Sequence, residues 1–181
     1  MIRTFIAIKI PGSVKSDINN WQDKLRGIVS GIKWVKSDNI HITLKFLGNI
    51  EEKMVLQLKE AIERSVENVS PFEIEVKGEG CFPNVNRPRV VWVGVDKGKD
   101  IISETVLKIE NECSKLGFDR ENRPYRPHLT VGRVKKIIKS TEDLRRFFYD
   151  NPFRSEIFNA NEIILMKSDL KPEGPVYTPI E

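Results

Sequence analysis

The sequence predicts an α+β fold made of two copies of one αβ unit, with two antiparallel-rich sheets lining a central cleft and the helices outside. Three repeated features indicate this fold: an amphipathic helix pattern, a strand pattern ahead of it and a histidine motif after it. An apolar helix face of this kind needs a sheet to cover it. The apolar positions of the first helix follow spacings of 4, 3, 4 and 3, and those of the second repeat them 88 positions later. They are Val14, Ile18, Trp21, Leu25 and Ile28, and then Ile102, Val106, Ile109, Cys113 and Leu116.

Local signals define the elements of the first copy. Pro11 and Gly12 end the first strand, and Ser13 is the expected N-cap of the helix that follows. Glu51 and Glu52 suit the first turn of the second helix, because carboxylates interact favourably with the helix dipole there. In chain order we predict a strand over residues 4–10, the first helix, strands over 32–36 and 39–47, a helix from 51 and a strand over 72–76.

The second copy follows a turn-rich segment over residues 78–88. Ser140 and Asp143 are placed for a capping box at the start of a short helix. In chain order we predict a strand over 90–95, the second amphipathic helix, a strand opening at His128, a helix over 141–148 and closing strands at 157–158 and 163–166.

An internal duplication explains this order. Phe5 and Trp92 lie 87 positions apart, and so do His41 and His128. We therefore expect one bilobal domain over residues 1–181, with copies that start near 3 and near 90 and that pack about a pseudo-twofold axis. A chance coincidence of two ordinary αβ units is the alternative.

Composition excludes several classes of protein. The 181 residues are 39% hydrophobic and 31% charged, with a mean hydropathy of −0.36, which indicates a folded domain. No apolar stretch is long enough to span a membrane and the amino terminus does not resemble a signal peptide, so we expect a cytoplasmic protein. Cys81 and Cys113 are too few for a disulfide framework. The net charge of +4 permits an anionic partner but does not require one.

The two histidines of the chain lie in one repeated motif. Alternate residues of a strand share a face, so each motif offers one imidazole and one hydroxyl to the same space while its aliphatic residues enter the core. Because the imidazole pKa lies near 6.5, one ring can accept a proton while the other donates one. This division suits transfer at a phosphodiester without a metal, with the hydroxyls donating to phosphate oxygens. The motifs are His41-Ile42-Thr43-Leu44 and His128-Leu129-Thr130-Val131.

Other interpretations of these residues stay open. A histidine beside aliphatic residues is often a packed or surface residue. A zinc site needs a cysteine to join the two histidines, and Cys113 lies on the predicted core stripe while Cys81 lies beside a turn. The same placement argues against a nucleophilic cysteine. We therefore predict no metal and no cofactor.

Three cations near the motifs are candidates for binding phosphate, with a solvated surface position as the alternative. On a regular strand Arg126 shares the face of His128, whereas Arg133 points the other way unless the strand end turns. Lys45 shares the face of His41 on the same argument. Three aromatic residues are available for stacking on a base, although core packing is more usual in such strands: Phe46, Phe82 and Trp92.

The chain resembles the two-histidine phosphoesterases and, among them, the RNA 2′,3′-cyclic phosphodiesterases, also called 2′-5′ RNA ligases. The two His-x-Thr motifs carry the resemblance, which covers nearly the full length. It includes residues 3–8, 34–35, 41–48, 82–83, 89–95, 126–133, 165–170 and 174–177. The resemblance implies a bilobal fold and metal-independent hydrolysis of a 2′,3′-cyclic phosphate at an RNA end to a 2′-phosphate.

The resemblance also implies roles and partners. His41 would be the general acid toward the 3′ oxygen, His128 the base that activates water, and Thr43 and Thr130 the residues that hold phosphate oxygens. The expected partners are RNA ends with a cyclic phosphate, among them tRNA fragments or small cyclic nucleotides, and we expect a monomer that binds no membrane. Two other functions stay open: an ATP-independent 2′-5′ RNA ligase, and an RNA-end binding module without catalysis.

Overall fold

The computed structural model describes residues 1–138 and 140–180. In chain order the strands are β1 (Ile2–Ile8), β2 (Ile32–Trp34), β3 (Ile42–Ile50), β4 (Phe72–Phe82), β5 (Val90–Val95), β6 (His128–Val134), β7 (Arg154–Ala160), β8 (Ile163–Lys171) and β9 (Gly174–Pro179). The helices are α1 (Gly12–Arg26), α2 (Val55–Val66), α3 (Lys99–Lys115) and α4 (Thr141–Asp150). The α+β class predicted from the sequence is confirmed. None of these described helices is long and apolar enough to cross a bilayer.

All strand pairs are antiparallel, and the strands run in the order β7-β4-β5-β6-β3-β1-β8-β9, with β2 on β6. The two expected sheets are joined into this one path by a single residue pair, Ile42 of β3 with Leu129 of β6. These residues lie 87 positions apart, as the two histidines do. Equivalent residues of the two copies therefore pair with each other where the two halves meet.

The core lies between one face of the sheet and the helices. Apolar residues of α1, α2 and α3 pack with that face in one buried cluster, and Ile6 and Ile8 of β1 belong to it. The alternating residues Phe5 and Ala7 point to the opposite face, where they pack in a small second cluster with residues of β8 and β9. The second face is therefore only partly covered, and it is the face available for function.

Two details of the helices differ from the sequence prediction. Ser13 is not the N-cap of α1, because the helix begins at Gly12, two residues earlier than predicted, and Pro11 occupies the cap position without a side-chain bond. Ile28 does not continue the buried stripe, because α1 ends at Arg26 and Ile28 is 54% exposed. The cap of α4 is confirmed: the Ser140 hydroxyl accepts a hydrogen bond from the Asp143 backbone at 3.1 Å.

Strand boundaries also differ in places. The segment predicted as turn-rich from residue 78 is still strand, because β4 continues to Phe82. The strand predicted over residues 39–47 also extends further, since β3 runs from Ile42 to Ile50. The strand β9 was not predicted, and it brings Tyr177 onto the partly covered face.

Candidate active site

The two His-x-Thr motifs lie side by side where the two halves meet. His41 directly precedes Ile42, and His128 directly precedes Leu129, which are the paired residues. Extending this antiparallel register by one residue sets His41 opposite Thr130 and sets His128 opposite Thr43. Cβ atoms of such cross-strand neighbours lie about 4.5 to 5.5 Å apart, and they share one face of the sheet. The fold therefore brings both imidazoles and both threonines together.

Each imidazole is held by a backbone carbonyl two residues earlier in the chain. His41 Nδ1 lies 2.7 Å from the Asn39 carbonyl oxygen, and His128 Nδ1 lies 2.6 Å from that of Arg126. A carbonyl oxygen only accepts, so each Nδ1 carries the proton and each Nε2 is left to act. His41 Nε2 lies 2.9 Å from the Thr43 hydroxyl, which donates to the neutral ring. Both halves therefore hold the Nδ1 of their histidine in the same way, and the first half adds the threonine contact at Nε2.

Burial favours the neutral form of both rings. The pKa of His41 is lowered from 6.5 to about 4, mainly by burial and to a smaller extent by the positive charges of Lys15 and His128. Burial also lowers the pKa of His128, and the Arg133 charge adds to this effect. In each ring the backbone hydrogen bond acts in the opposite direction. An anionic ligand between the rings favours protonation of either one, because opposite charges stabilise each other at short range.

Aromatic side chains surround each imidazole. Phe5 stacks on His41 with ring centroids 4.8 Å apart, and the Tyr177 ring meets His41 edge-on at 5.2 Å. Phe82 meets His128 edge-on at 4.9 Å. Trp92, the counterpart of Phe5 in the second copy, lies 6.5 Å from His128. These contacts remove water from the rings, which is the physical cause of their lowered pKa values.

Two β-bulges lie at equivalent positions just after the motifs. The register of β1 against β3 skips Leu44, and the register of β5 against β6 skips Val131. The two bulge residues are 87 positions apart. An extra residue in a strand shifts the alternation of side chains by one for the residues that follow. Predictions of side-chain direction beyond each bulge are therefore reversed.

The first bulge makes the prediction for Lys45 wrong. Its side chain turns to the core side, where only 5% of it is exposed and its ammonium lies 2.7 Å from Glu110 of α3. The next residue, Phe46, then points to the face of the histidines, where it is 67% exposed and lies 6.2 Å from the Phe5 ring. Lys45 is thus not available to bind phosphate, whereas Phe46 offers an open aromatic surface.

The second bulge brings Arg133 to the histidine face, contrary to the expectation for a regular strand. On this face its positive charge lowers the pKa of His128 and opposes the rise that burial causes in the pKa of Tyr177. Arg126 is exposed and lies at the rim. It lines an open depression of about 450 Å³ beside Trp92, to which Lys99 also contributes.

Phe5 and Tyr177 both contact His41, and no role for either was predicted from the sequence. Phe5 was noted only as part of the repeat, and the position of Tyr177 depends on β9, which is distant in sequence. Within residues 1–138 and 140–180, no group of three or more His, Cys, Asp or Glu residues is placed to hold a metal ion. Cys81 and Cys113 are free and buried, and burial raises the thiol pKa of both, to about 12 and about 11.

Comparison with known proteins agrees with this geometry. The profile of the LigT-like phosphoesterases matches the chain twice, over residues 8–92 and 93–177. The chain belongs to the LigT-like phosphoesterase family. The RNA 2′,3′-cyclic phosphodiesterase of Methanocaldococcus jannaschii is 39% identical over 182 residues, which cover 99% of both chains. A protein of the same name from Archaeoglobus fulgidus is 35% identical over 97% of this chain and 96% of its own length.

Solved structures of LigT-like proteins share the fold. The Thermus thermophilus protein TT0787 has a TM-score of 0.84 at 26% identity, covering 99% of this chain and 96% of its own. E. coli LigT, in a complex with 3′-AMP, has a TM-score of 0.80 at 22% identity, covering 99% of this chain and 95% of its own. The second likeness shows the fold alone. Together they confirm the duplicated LigT-like architecture predicted from the sequence.

Proposed function

We propose that this LigT-like chain hydrolyses the 2′,3′-cyclic phosphate at the end of an RNA strand, without a metal, and leaves a 2′-phosphate. The observation that carries the proposal is the pair of Nε2 atoms, of His41 and His128, on one sheet face across the Ile42–Leu129 junction. The relatives named RNA 2′,3′-cyclic phosphodiesterase support the choice of substrate. The catalytic domain is the whole of residues 1–181, because each copy supplies one histidine.

The proposed reaction needs one neutral and one protonated imidazole. The neutral ring takes a proton from water, the water oxygen forms a bond to phosphorus, and the bond from phosphorus to O3′ breaks. The protonated ring gives its proton to O3′. Each turnover thus exchanges the protonation states of His41 and His128. The family resemblance makes His41 the acid, whereas its pKa of about 4 favours it as the base. A substrate whose leaving group needs no proton separates these two roles.

The remaining candidate residues bind the substrate in this proposal. Thr43 and Thr130 donate to the non-bridging oxygens, and the Arg133 guanidinium balances the charge that builds up on phosphorus. Arg126 lies two residues before His128, exposed at the rim of the site, where the next phosphate of the RNA can reach it. Exposed Phe46 offers a surface for a base.

The direct test uses an oligoribonucleotide that ends in a 2′,3′-cyclic phosphate, incubated with the protein and EDTA. We expect full turnover in the chelator and a 2′-phosphate product, identified by ³¹P NMR. An unchanged substrate refutes the proposal, and a 3′-phosphate product reverses the assignment of the leaving oxygen. Binding of the intact end without turnover would instead support the RNA-end binding module. tRNA fragments and a mononucleotide cyclic phosphate, compared in the same assay, define the preferred length.

A 2′-5′ RNA ligase activity is a second candidate, favoured by aromatic surfaces beside both histidines. On the His41 side this surface is the exposed Phe46, which packs against the buried Phe5, and on the His128 side it is the half-buried Phe82 and Trp92. Two bases can therefore flank one phosphate. Here a 5′-hydroxyl replaces water as the nucleophile and no ATP is consumed. Adding 5′-hydroxyl RNA to the same assay and searching for a joined product tests this activity. For both activities we propose that the enzyme is a monomer and acts in the cytoplasm.

Phe46→Ala is expected to raise KM about 10-fold for an oligonucleotide and to leave kcat nearly unchanged. The reason is that stacking of one base on an aromatic ring contributes about 1 to 3 kcal/mol to binding, and Phe46 does not touch the reacting atoms. The measurement is steady-state kinetics on the cyclic-phosphate oligonucleotide. Leu107→Ala is the matched control, because it removes a 65% exposed apolar side chain from the outer helix α3. An unchanged KM in Phe46→Ala rules out stacking at this position.

Arg133→Ala is expected to raise KM about 10-fold, since a hydrogen bond to a charged group contributes about 1.5 to 3 kcal/mol and this one is partly exposed. The same change should raise the pKa of His128, because the Arg133 charge lowers it. It should leave the pKa of His41 unchanged, since Arg133 is not among the charges that lower the pKa of that ring. Titration of the two imidazole resonances by NMR measures both pKa values. Arg123→Ala, which breaks only an exposed pair with Glu121, is the control.

A further inference from the structure

Two buried polar side chains occupy equivalent positions on α1 and α3. Gln22 is 1% exposed and Glu110 is 9% exposed. They lie 88 positions apart, which is the offset between the apolar stripes of the two helices. Burial of a polar or charged group is unfavourable unless its hydrogen bonds are satisfied. Both side chains have partners, and those partners occupy corresponding places in the two copies.

Gln22 joins the segment before the first motif to the strand of the second. Its side-chain amide donates to the Val35 carbonyl at 3.0 Å and to the Val131 carbonyl at 2.7 Å. Val35 lies four residues before Asn39, whose carbonyl holds the His41 ring. Val131 is the bulge residue of β6. The Val35 backbone N–H also donates to the Val131 carbonyl, at 3.0 Å. The Gln22 amide therefore adds a second connection between the approach to His41 and the opposite strand.

Glu110 joins the segment before the second motif to the strand of the first. Its Oε2 accepts from the Lys45 ammonium at 2.7 Å and from the Glu121 backbone at 3.4 Å. Lys45, in β3, also donates to the Asp119 carbonyl at 2.8 Å. The segment from 116 to 127 is thereby fixed to β3, and it includes Arg126, whose carbonyl holds the His128 ring.

We propose that Gln22 and the Lys45–Glu110 pair are positioning residues, each of which sets the carbonyl that orients one histidine. This inference rests on the proposed function, because it concerns the same two imidazoles. A buried ion pair contributes little to stability compared with apolar side chains of similar size. The Lys45–Glu110 pair instead fixes the position of the segment from 116 to 127, which has no regular secondary structure. Each bridge also ends on the strand of the opposite motif, so the two motifs are held at one separation.

The test uses the tautomers of the two histidines, which long-range ¹H–¹⁵N correlation spectra distinguish. The chain has only two histidines, so each signal is assigned by comparison with one alanine variant. In the unmodified protein we expect Nδ1–H on both rings. Lys45→Met combined with Glu110→Leu leaves no buried charge unpaired. We expect this double variant to mix the tautomers of His128, to spare His41, and to lower kcat by about 10- to 100-fold with KM nearly unchanged.

Gln22→Leu provides the reciprocal experiment. We expect it to mix the tautomers of His41 and to leave His128 with its proton on Nδ1. Arg64→Met is the control, because it breaks a surface ion pair between Arg64 of α2 and Glu112 of α3. It should change neither the tautomer of either histidine nor kcat. A merely structural role predicts lower stability without a selective change at one ring. A folded double variant that keeps Nδ1–H on His128 and an unchanged kcat overturns the proposal.

A third variant keeps the proposal testable if the double variant does not fold. The Tyr125 hydroxyl donates to the Thr43 carbonyl at 2.8 Å and belongs to the same segment, one residue before Arg126. Tyr125→Phe removes only this bond, and we expect a smaller shift of the His128 tautomer in the same direction. An unaltered spectrum in Tyr125→Phe counts against the proposal. The spectra need no substrate, so a failure of the proposed hydrolysis leaves this result readable.

Discussion

His41→Ala and His128→Ala are each expected to lower kcat for a 2′,3′-cyclic phosphate by roughly 10²- to 10⁴-fold, the usual contribution of one positioned acid or base. KM should change little, because the threonine and arginine contacts to the phosphate remain. Steady-state kinetics on the cyclic-phosphate oligonucleotide measure both constants. If instead either variant raises KM and leaves kcat intact, the histidines bind the substrate without transferring protons.

A substrate with sulfur in place of the 3′ oxygen separates the acid from the base. A thiolate leaves without a proton, because its pKa is far lower than that of an alcohol. The alanine variant of the acid should therefore recover most of its activity on this substrate, and the alanine variant of the base should not. Recovery in His41→Ala supports the roles that the family resemblance implies. Recovery in His128→Ala supports the roles that the pKa of His41 favours.

The residues of the motifs were predictable because they precede the bulges. From His41 to Thr43, and from His128 to Thr130, the strands alternate regularly, so the shared face of imidazole and hydroxyl follows from the two-residue period. The duplication then required the two copies to face each other. The structure adds the register, in which a single pair, Ile42 with Leu129, sets each histidine opposite the other copy's threonine.

The predictions of side-chain direction fail from the bulge residues Leu44 and Val131 onward, each of which directly follows the threonine of its motif. Nothing in the local sequence marks Leu44 or Val131 as a bulge residue, because both are ordinary aliphatic strand residues. The bulges are visible only in the pairing with β1 and β5, which lie far away along the chain. They turn Lys45 into the core and bring Arg133 to the site. Because of this one-residue shift, Lys45, which was predicted to bind phosphate, instead forms a buried ion pair with Glu110.

The contacts that tune the histidines depend on residues distant in sequence. Tyr177 contacts His41 only because β9 pairs with β8, and β8 pairs with β1. The pKa of about 4 results from this enclosure, and a single strand cannot supply it. The carbonyl contacts, by contrast, lie two residues from each ring, at Asn39 and Arg126. They are local, but they need loop conformations that the sequence pattern does not specify.

Thr43→Val and Thr130→Val are each expected to lower kcat about 10- to 100-fold, somewhat less than the loss of a donor in an oxyanion hole. Valine keeps the shape of threonine and removes the hydroxyl, so the strand should pack as before. Thr43 also donates to His41 Nε2 at 2.9 Å, so its loss should alter the titration of that ring as well. Thr4→Val is the matched control, because the Thr4 hydroxyl is buried in the same sheet and has no hydrogen-bond partner among the described residues.

The stereochemistry of the phosphate provides a sharper form of this prediction. The two hydroxyls stand on opposite strands, β3 and β6, so each should contact a different non-bridging oxygen. Sulfur is a weaker acceptor than oxygen, and the Rp and Sp cyclic phosphorothioates place it at one oxygen or the other. Thr43→Val should remove the discrimination against one isomer, and Thr130→Val should remove it against the other. Loss of discrimination against the same isomer in both variants would mean that one oxygen accepts from both hydroxyls. If the unmodified protein hydrolysed both phosphorothioates as fast as the all-oxygen substrate, threonine contacts to the phosphate would be excluded.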